Sequence, residues 1–477
     1  MIVRNVYIRI AANLLSAAIN FIPFILIIRI FGADTWGNII YYYSIAGIFS
    51  IFSDLGFSTA YNKFIAAEDR PKDIFAFVII KIILILIYVA AFAAWYFLKF
   101  KSGSTDYSLL MAVFGVVLLE LIAQFFTATM IGKRDFFYLS VVEVISSLGF
   151  FVYIVYICFW SRNIYLLAAS KAVVPLLSIV GGCFYFKKKG LCGFFVPGRE
   201  VFKKYMIYSL PISFSSICER LMSYLGNLAL GGLLGVREVG LYQMALKCYA
   251  FVDRLIKPVT STIFTEIVHR INNTAEFFHK QFRDLVEMLN FFGGLIILLM
   301  IFASRPVVQI LFGEENIRAA FILQVSALSV LGRLFWRPYS NVVFAIEKHK
   351  LICFLEPLTI AVVIICYYLL IPLKVGESFY LGAAALPITE FITWVLPAGF
   401  LRILILKKQY GDIHIQRIIL KIWLPLAIAG SLAFLNRSIF MLPLAVFVFL
   451  VIEYFLGIIT IKRLRVLLVP FEQILGS

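Results

Sequence analysis

Apolar runs long enough to cross a bilayer recur along almost the whole chain, with short polar breaks between them. A hydrocarbon core about 30 Å thick takes roughly 20 apolar residues per helical span, and inside it every backbone N–H and C=O must be satisfied within the chain. Only helices or a closed barrel meet that demand, and runs of this length fit helices. The first, from about Val6 to Phe31, exceeds a signal-peptide core and has no small-residue cleavage site after it, so it is expected to be a retained span. Later runs lie near 38–62, 74–98, 107–131, 136–160, 164–186, 205–232, 239–265, 285–303, 318–345, 351–372, 378–401, 417–435 and 438–460, which predicts 14 transmembrane helices in an all-α protein. The stretch RPVVQILFGEEN, 305–316, is expected to be a short surface helix and turn. Of the residues, 62% are hydrophobic and only 14% are charged, against about 25% charged in soluble domains. Nothing is left over for a soluble domain.

Lys and Arg set the expected orientation, because cytoplasmic breaks are enriched in them. With the N-terminus inside, 25 fall in inner breaks and 8 in outer ones, which places both termini in the cytoplasm. This bias, together with anionic inner-leaflet lipid, accounts for the formal net charge of +17 without a nucleic-acid partner.

Ten of the 43 Lys and Arg remain within predicted spans: Arg29, Lys81, Lys171, Arg220, Lys247, Arg254, Lys257, Arg333, Arg337 and Lys421. Lys421 is expected to snorkel to the headgroups from its span end, and for Arg29 and Lys81 snorkelling and a cavity-facing position are both open. Arg220, Arg254 and Arg333 lie near the midplane, where each would cost at least about 2.5–3.5 kcal/mol facing lipid. They must face a polar interior. Lys247 and Arg254 share a helix face, as do Arg333 and Arg337. A cationic cavity is therefore expected to draw on Arg29, Arg220, Lys247, Arg254, Arg333 and Arg337.

The acids within predicted spans, Asp54, Glu120, Glu143, Glu219, Asp253, Glu390 and Glu453, with Glu356 near an end, are too few to neutralise these cations. Glu219 and Arg220 are adjacent, and Asp253 and Arg254 repeat the adjacency on the next helix. Cross-pairing between the two helices is sterically possible. Such a carboxylate could release its cation on protonation, or hold a permanent buried ion pair. Glu219, Asp253, Asp54 and Glu120 are thus candidate coupling or ion-pair residues, with a proton or sodium as the coupled ion.

FGADTWGNIIYY follows the first run and LLGVREVGLYQM the seventh, each with Gly-x4-Gly (Gly32 and Gly37; Gly235 and Gly240) and then an aromatic, 203 residues apart. Both are expected on the outer face, as parallel repeats of six helices. The stretches RIFGADTWGNIIYYYSIAGIFSIFSDLGFSTAYNKFIA and PVVQILFGEENIRAAFILQVSALSVLGRLFWRPYSNVVFAIEKHK resemble the polysaccharide-transporter branch of the multidrug/oligosaccharidyl-lipid/polysaccharide exporter superfamily, which includes the Wzx O-antigen flippases. The resemblance covers roughly residues 1 to 405 and lies in spacing and character. It implies twelve core helices in two lobes around a central cavity, here 1–190 and 200–405, two additional C-terminal helices within 415–477, and alternating access. It also implies a cationic lumen and a substrate, undecaprenyl-pyrophosphate-linked oligosaccharide, moved across the bacterial inner membrane. Membrane lipids and other polysaccharide-assembly membrane proteins are further partner classes.

Arg forks suit a pyrophosphate, which is a multivalent anion. Other chemistry finds little support in the residues. All four His fall in predicted cytoplasmic breaks, the seven Cys form no C-x-x-C pair, and no phosphate-binding P-loop motif occurs, so no metal site, catalytic site or cofactor is expected. An exporter of small molecules from the same superfamily is the nearer alternative, although a cation-drug exporter would want an acidic cavity. A membrane glycosyltransferase or polymerase is the more distant one, because the longest outer break is only about 13 residues.

Overall fold

A computed structural model of the chain describes residues 2–67, 71–99, 107–191, 197–251, 282–345, 356–374, 380–396, 415–435 and 439–456, with the isolated residues 399, 404 and 407. It is all-helical, with no strand among the described residues. Among the described residues, seven helices are long and apolar enough to cross a membrane, and four shorter apolar helices accompany them.

The first helix, α1 (Ile2–Phe49), contains two legs that meet at Gly32, where φ 80 and ψ 170 suit a residue without Cβ. The rings of Phe24 and Trp36 lie 5.9 Å apart across this point, whereas twelve residues of straight helix would separate them by about 18 Å. The chain therefore doubles back at Gly32. The second predicted run, 38–62, is not one continuous helix. It tightens into a 3-10 turn at Ser50–Ser53, breaks at Leu55 (φ 42) and Gly56 (φ 75), and resumes as α2 (Phe57–Ala67).

There follow α3 (Pro71–Lys99), α4 (Tyr107–Gly132) and α5 (Phe136–Tyr156), the last capped by Asp135, which accepts from the Tyr138 N–H at 3.3 Å. The sixth run tightens into a turn at Lys171 and Ala172, both still in the right-handed helical region, between α6 (Ile164–Ser170) and α7 (Val173–Lys188). Next come α8 (Arg199–Leu233) and α9 (236–251). The later helices are α10 (Arg283–Phe312), α11 (Arg318–Ala345), α12 (Glu356–Leu370), α13 (Ala385–Val395), α14 (Ile415–Leu435) and α15 (Leu442–Phe455).

The stretch 305–316 departs from expectation. Instead of a surface helix, residues through Phe312 extend α10, which crosses Pro306 and ends at Gly313 (φ 90), leaving only a short 3-10 turn at Glu314–Asn316. A proline removes one N–H, whereas ending the helix there would strand several backbone groups in an apolar setting. Val308 and Phe312 are fully buried, so the extension is also held by packing.

The chain forms two compact units, Met1–Gln243 with Ile371–Ala383, and Met244–Leu370 with Ala384–Ser477. In the first, α1 packs on α4, α5 and α8, while α7 lies against α4 and α5. In the second, α10 packs on α11, α14 and α15, and α13 on α11 and α12.

The repeated Gly-x4-Gly motifs meet inside the first unit. A Cβ on Gly37 would lie 1.9 Å from the Val236 carbonyl oxygen, and one on Gly240 would lie 2.1 Å from the Ala33 carbonyl oxygen. The two contacts are reciprocal under the 203-residue offset, since Ala33 corresponds to Val236 and Gly37 to Gly240. Glycine is required at both positions because backbone touches backbone.

Candidate functional site

The break in the second run creates a charge site in the first unit. A tightened and interrupted helix end leaves carbonyls without intrahelical donors. Two cations reach them. The Ser50 carbonyl accepts from Arg220 Nη1 at 3.2 Å, and the Ser53 carbonyl from Lys81 Nζ at 3.3 Å. Asp54 sits between the cations, with Oδ1 2.9 Å from Lys81 Nζ and Oδ2 3.6 Å from Arg220 Nη2. The Ser58 hydroxyl and N–H also donate to its Oδ1.

The trio carries two positive charges against one negative. Its members differ in access: the side chains of Lys81, Asp54 and Arg220 are 3%, 11% and 25% exposed. Lys81 does not snorkel. It is sealed inside the unit, because Asp54 and the Ser53 carbonyl offer it a better environment than a partial reach to headgroups. Arg220 keeps an open side.

A second polar group adjoins the first. The Tyr43 hydroxyl donates to Glu120, and Lys171, at the turn in the sixth run, places its ammonium 3.9 Å from the Tyr43 ring centroid and 5.4 Å from that of Trp36. An ammonium over aromatic faces is stabilised by their quadrupoles. Tyr224 links the groups, sharing a hydrogen bond with Ser50 while its ring lies 6.4 Å from that of Tyr43. Irregular backbone at membrane depth is tolerated where it lines a polar interior or is buried in protein, and both the break and the tightened turn here carry a cation.

In the second unit the arrangement is a pair. Arg333 Nε donates to Glu390 Oε1 at 2.5 Å, and the guanidinium lies 5.0 Å from the Tyr249 ring centroid. Elsewhere in that unit Lys421 Nζ is 3.8 Å from Glu287 Oε1. Lys421 thus takes a carboxylate partner where snorkelling was expected.

With this geometry in view, the chain can be set beside known proteins. The family model for polysaccharide biosynthesis protein matches residues 2–264. The chain belongs to that family. A relative, the capsular polysaccharide biosynthesis protein CapF of Staphylococcus aureus, is 23% identical over 405 residues, which is 82% of this chain and 97% of that protein. Among solved structures, the lipid II flippase MurJ in an inward closed conformation matches with a TM-score of 0.69 at 14% identity, covering 94% of this chain and 97% of that one. An inward-facing multidrug resistance MATE transporter of the MOP superfamily matches with a TM-score of 0.58 at 14% identity, covering 82% and 96%. The family member described here therefore shares the fold of these two proteins.

The candidate residues are not all brought together. Asp54 and Arg220 meet, and Glu120 lies in the adjoining group. Glu219, beside Arg220 in sequence, is exposed, with its backbone carbonyl accepting from the Ser223 hydroxyl at 2.9 Å. Arg29 and Lys247 are exposed, and Arg337 is half-buried on α11, four residues beyond Arg333. Asp253 and Arg254 lie outside the described residues, and with them the cross-pairing to α8. Sequence reasoning passed over Lys171 and Tyr43 as site residues and left Lys81 undecided. SDLG at 53–56, which places Ser, Asp and Gly within one mid-span turn, was the available signal of a break that would collect cations.

Proposed function

We propose that the protein is a flippase that translocates undecaprenyl-pyrophosphate-linked oligosaccharide across the bacterial cytoplasmic membrane by alternating access, with both termini in the cytoplasm. Family membership and the MurJ-like fold support the class of activity. The observation that carries the choice of an anionic headgroup is the excess positive charge at the helix break, where Arg220 keeps an open side while Lys81 and Asp54 hold its surroundings. A guanidinium presents parallel donors to phosphate oxygens, and its partial desolvation strengthens such contacts. The half-buried Arg333 offers a second guanidinium, held in place by Glu390 and Tyr249. The same excess of cations disfavours a cationic drug as cargo.

The test is transport of a lipid-linked oligosaccharide by the purified protein in liposomes. Arg220→Ala should cut pyrophosphate-lipid binding by about tenfold or more, the equivalent of one lost charge-assisted contact, and Arg220→Lys should rescue it only partly. Lys188→Ala, a surface change at the end of α7, serves as the control. Wild-type binding and transport by Arg220→Ala would defeat the proposed role of the break.

A further inference from the structure

Toward the end of α2 remote from the helix break, positive charge gathers on converging helix ends. A single apolar cluster brings them together: Phe64 and Ile65 of α2, Ile74 of α3, Phe186 of α7 and Phe202 of α8 belong to it or pack on it. The turn from α4 to α5 joins them at Gly132, where a Cβ would lie 2.1 Å from the Ile65 side chain. Around this cluster Lys63, Arg134, Lys187, Lys188, Lys203 and Lys204 are exposed. The carboxylates described at these ends are Asp73, Asp135 and Glu200, of which Asp73 is 4% exposed and Asp135 lies 3.4 Å from Lys189. The link from α2 to α3 adds Glu68 and Asp69 against Arg70 and Lys72, which cancel. Positive charge is left over even with a cation given to every carboxylate.

Two of these lysines are held in a crossed arrangement between α2 and α8. The Lys63 ammonium, on α2, lies 4.1 Å from the centroid of the Tyr208 ring on α8, and that of Lys204, on α8, lies 4.2 Å from the centroid of the Phe64 ring on α2. The two rings are 5.4 Å apart, and Phe64 also meets the buried Tyr205 ring at 5.0 Å. The aromatic faces thereby seat both ammonium groups in one patch. A ring face orients an ammonium without cancelling its charge.

The surface beside the patch is apolar. Ile207 and Leu210 follow Lys203 at four and seven residues, on one face of α8, and are 65% and 70% exposed. Side chains of this kind on a membrane helix face lipid chains, so the adjoining cations stand at headgroup depth. The bias of cations toward one side of a membrane accounts for their number. It does not account for lysines seated crosswise on aromatic rings at the head of an apolar stripe.

We infer that α2 and α8 form a binding site for an anionic phospholipid, with its phosphate between Lys63 and Lys204, Lys203 at the rim, and an acyl chain along Ile207 and Leu210. The phosphate supplies the charge that the patch lacks, and the attached chain covers the apolar stripe. A soluble anion meets only the first requirement. Basic pockets between membrane helices recognise such headgroups. The site depends on no assumption about what the protein transports.

Native mass spectrometry of the full-length protein in detergent, titrated with phosphatidylglycerol or phosphatidylcholine, tests the site. The wild type should retain phosphatidylglycerol in preference to phosphatidylcholine. Lys63→Gln combined with Lys204→Gln should weaken phosphatidylglycerol binding by roughly tenfold or more, because two cations near the headgroup are lost. Lys63→Arg combined with Lys204→Arg keeps the charge on the rings and should hold the lipid. Lys374→Gln is the control: it also removes an ammonium beside an aromatic ring, 5.5 Å from the Tyr380 centroid, but its segment is tied through the Ala383 N–H to Glu238, past the far end of α8. A wild type that holds both lipids equally overturns the site, and this outcome needs no variant. A preference that survives in the double glutamine variant overturns it too, as does an equal loss in Lys374→Gln, which would mean that only overall charge counts. Displacement of phosphatidylglycerol by a poly-glutamate peptide would make the patch a docking surface for an acidic protein and would overturn the lipid assignment.

Discussion

Besides the Arg9–Glu143 pair between α1 and α5, the charge sites of the first unit are held differently from those of the second. In the first unit the helix of the second run is broken and that of the sixth tightens into a turn, and Lys81 and Arg220 gather at the break while Lys171 sits at the turn. Two of these cations complete carbonyl hydrogen bonds that the interrupted helix leaves open. In the second unit α10 and α11 run on through Pro306 and Pro338, and charges meet as side-chain pairs on intact helix faces. A cation at a break is anchored by backbone, while one on a face is anchored only by its partner. The difference teaches that the same residue type, buried at similar depth, can be structural in one place and exchangeable in another.

The largest expected effect comes from removing the sealed cation. Lys81→Met keeps the volume but leaves Asp54 with Arg220 at 3.6 Å as its remaining cation beside the Ser58 donors, and the Ser53 carbonyl without its donor. Breaking one side of a buried pair costs about 3–5 kcal/mol, and the lower figure applies because Arg220 remains. Thermal unfolding in detergent should show a marked loss of stability. Lys421→Met removes a 38% exposed ammonium 3.8 Å from Glu287, itself 3% exposed, and should cost less, because the longer ion pair is weaker and no backbone carbonyl loses a donor. Equal losses would erase the distinction between break and face.

Much of this was legible in the sequence. Run length and polar breaks predict the helices, because lipid forbids unpaired backbone, and the 203-residue repeat marks the two glycine motifs but not their contact at Gly37 and Gly240. The charge site was legible only in part. Glu219 and Arg220 drew attention as neighbours, yet adjacent residues on a helix point about 100° apart, and Arg220 turns to Asp54, 166 positions away in the chain. A partner so distant leaves no local pattern. Lys81 was hidden for a related reason, since its burial depends on carbonyls freed by a break in another helix. Pro306 misled in the opposite direction. Its ring suggests a stop, but in an apolar setting the helix continues because ending it would expose more backbone.

A second pair of substitutions probes the backbone itself. In Gly240→Ala the new methyl would meet the Ala33 carbonyl oxygen at 2.1 Å, and main chain cannot move aside as a side chain can. The two motif helices must separate, at a cost of about 1–3 kcal/mol for such overpacking. Gly37→Ala demands the same separation, so the double variant should lose less than the sum of the two. In the second unit Gly293→Ala meets only the end of the Leu334 side chain. It should be tolerated better, as read by unfolding temperature and by the yield of monodisperse protein. Additive losses at positions 37 and 240 would show that the two contacts are independent, against the reciprocal geometry.

The smallest effect is expected at Arg333 and Glu390. Their side chains are 30% and 26% exposed, and Arg333 also lies against the Tyr249 ring, so the guanidinium has a second support if its carboxylate is neutralised. Partly exposed pairs are worth up to about 1 kcal/mol, and salt screens them. Glu390→Gln should therefore lower stability by no more than about that amount at low ionic strength, and the difference from wild type should shrink as salt is raised. Lys81→Met should keep most of its deficit under the same conditions, because its site is closed to counterions. A salt-independent loss in Glu390→Gln as large as that of Lys81→Met would mean that the face pair is as structural as the break, and that what distinguishes the two units is backbone shape alone.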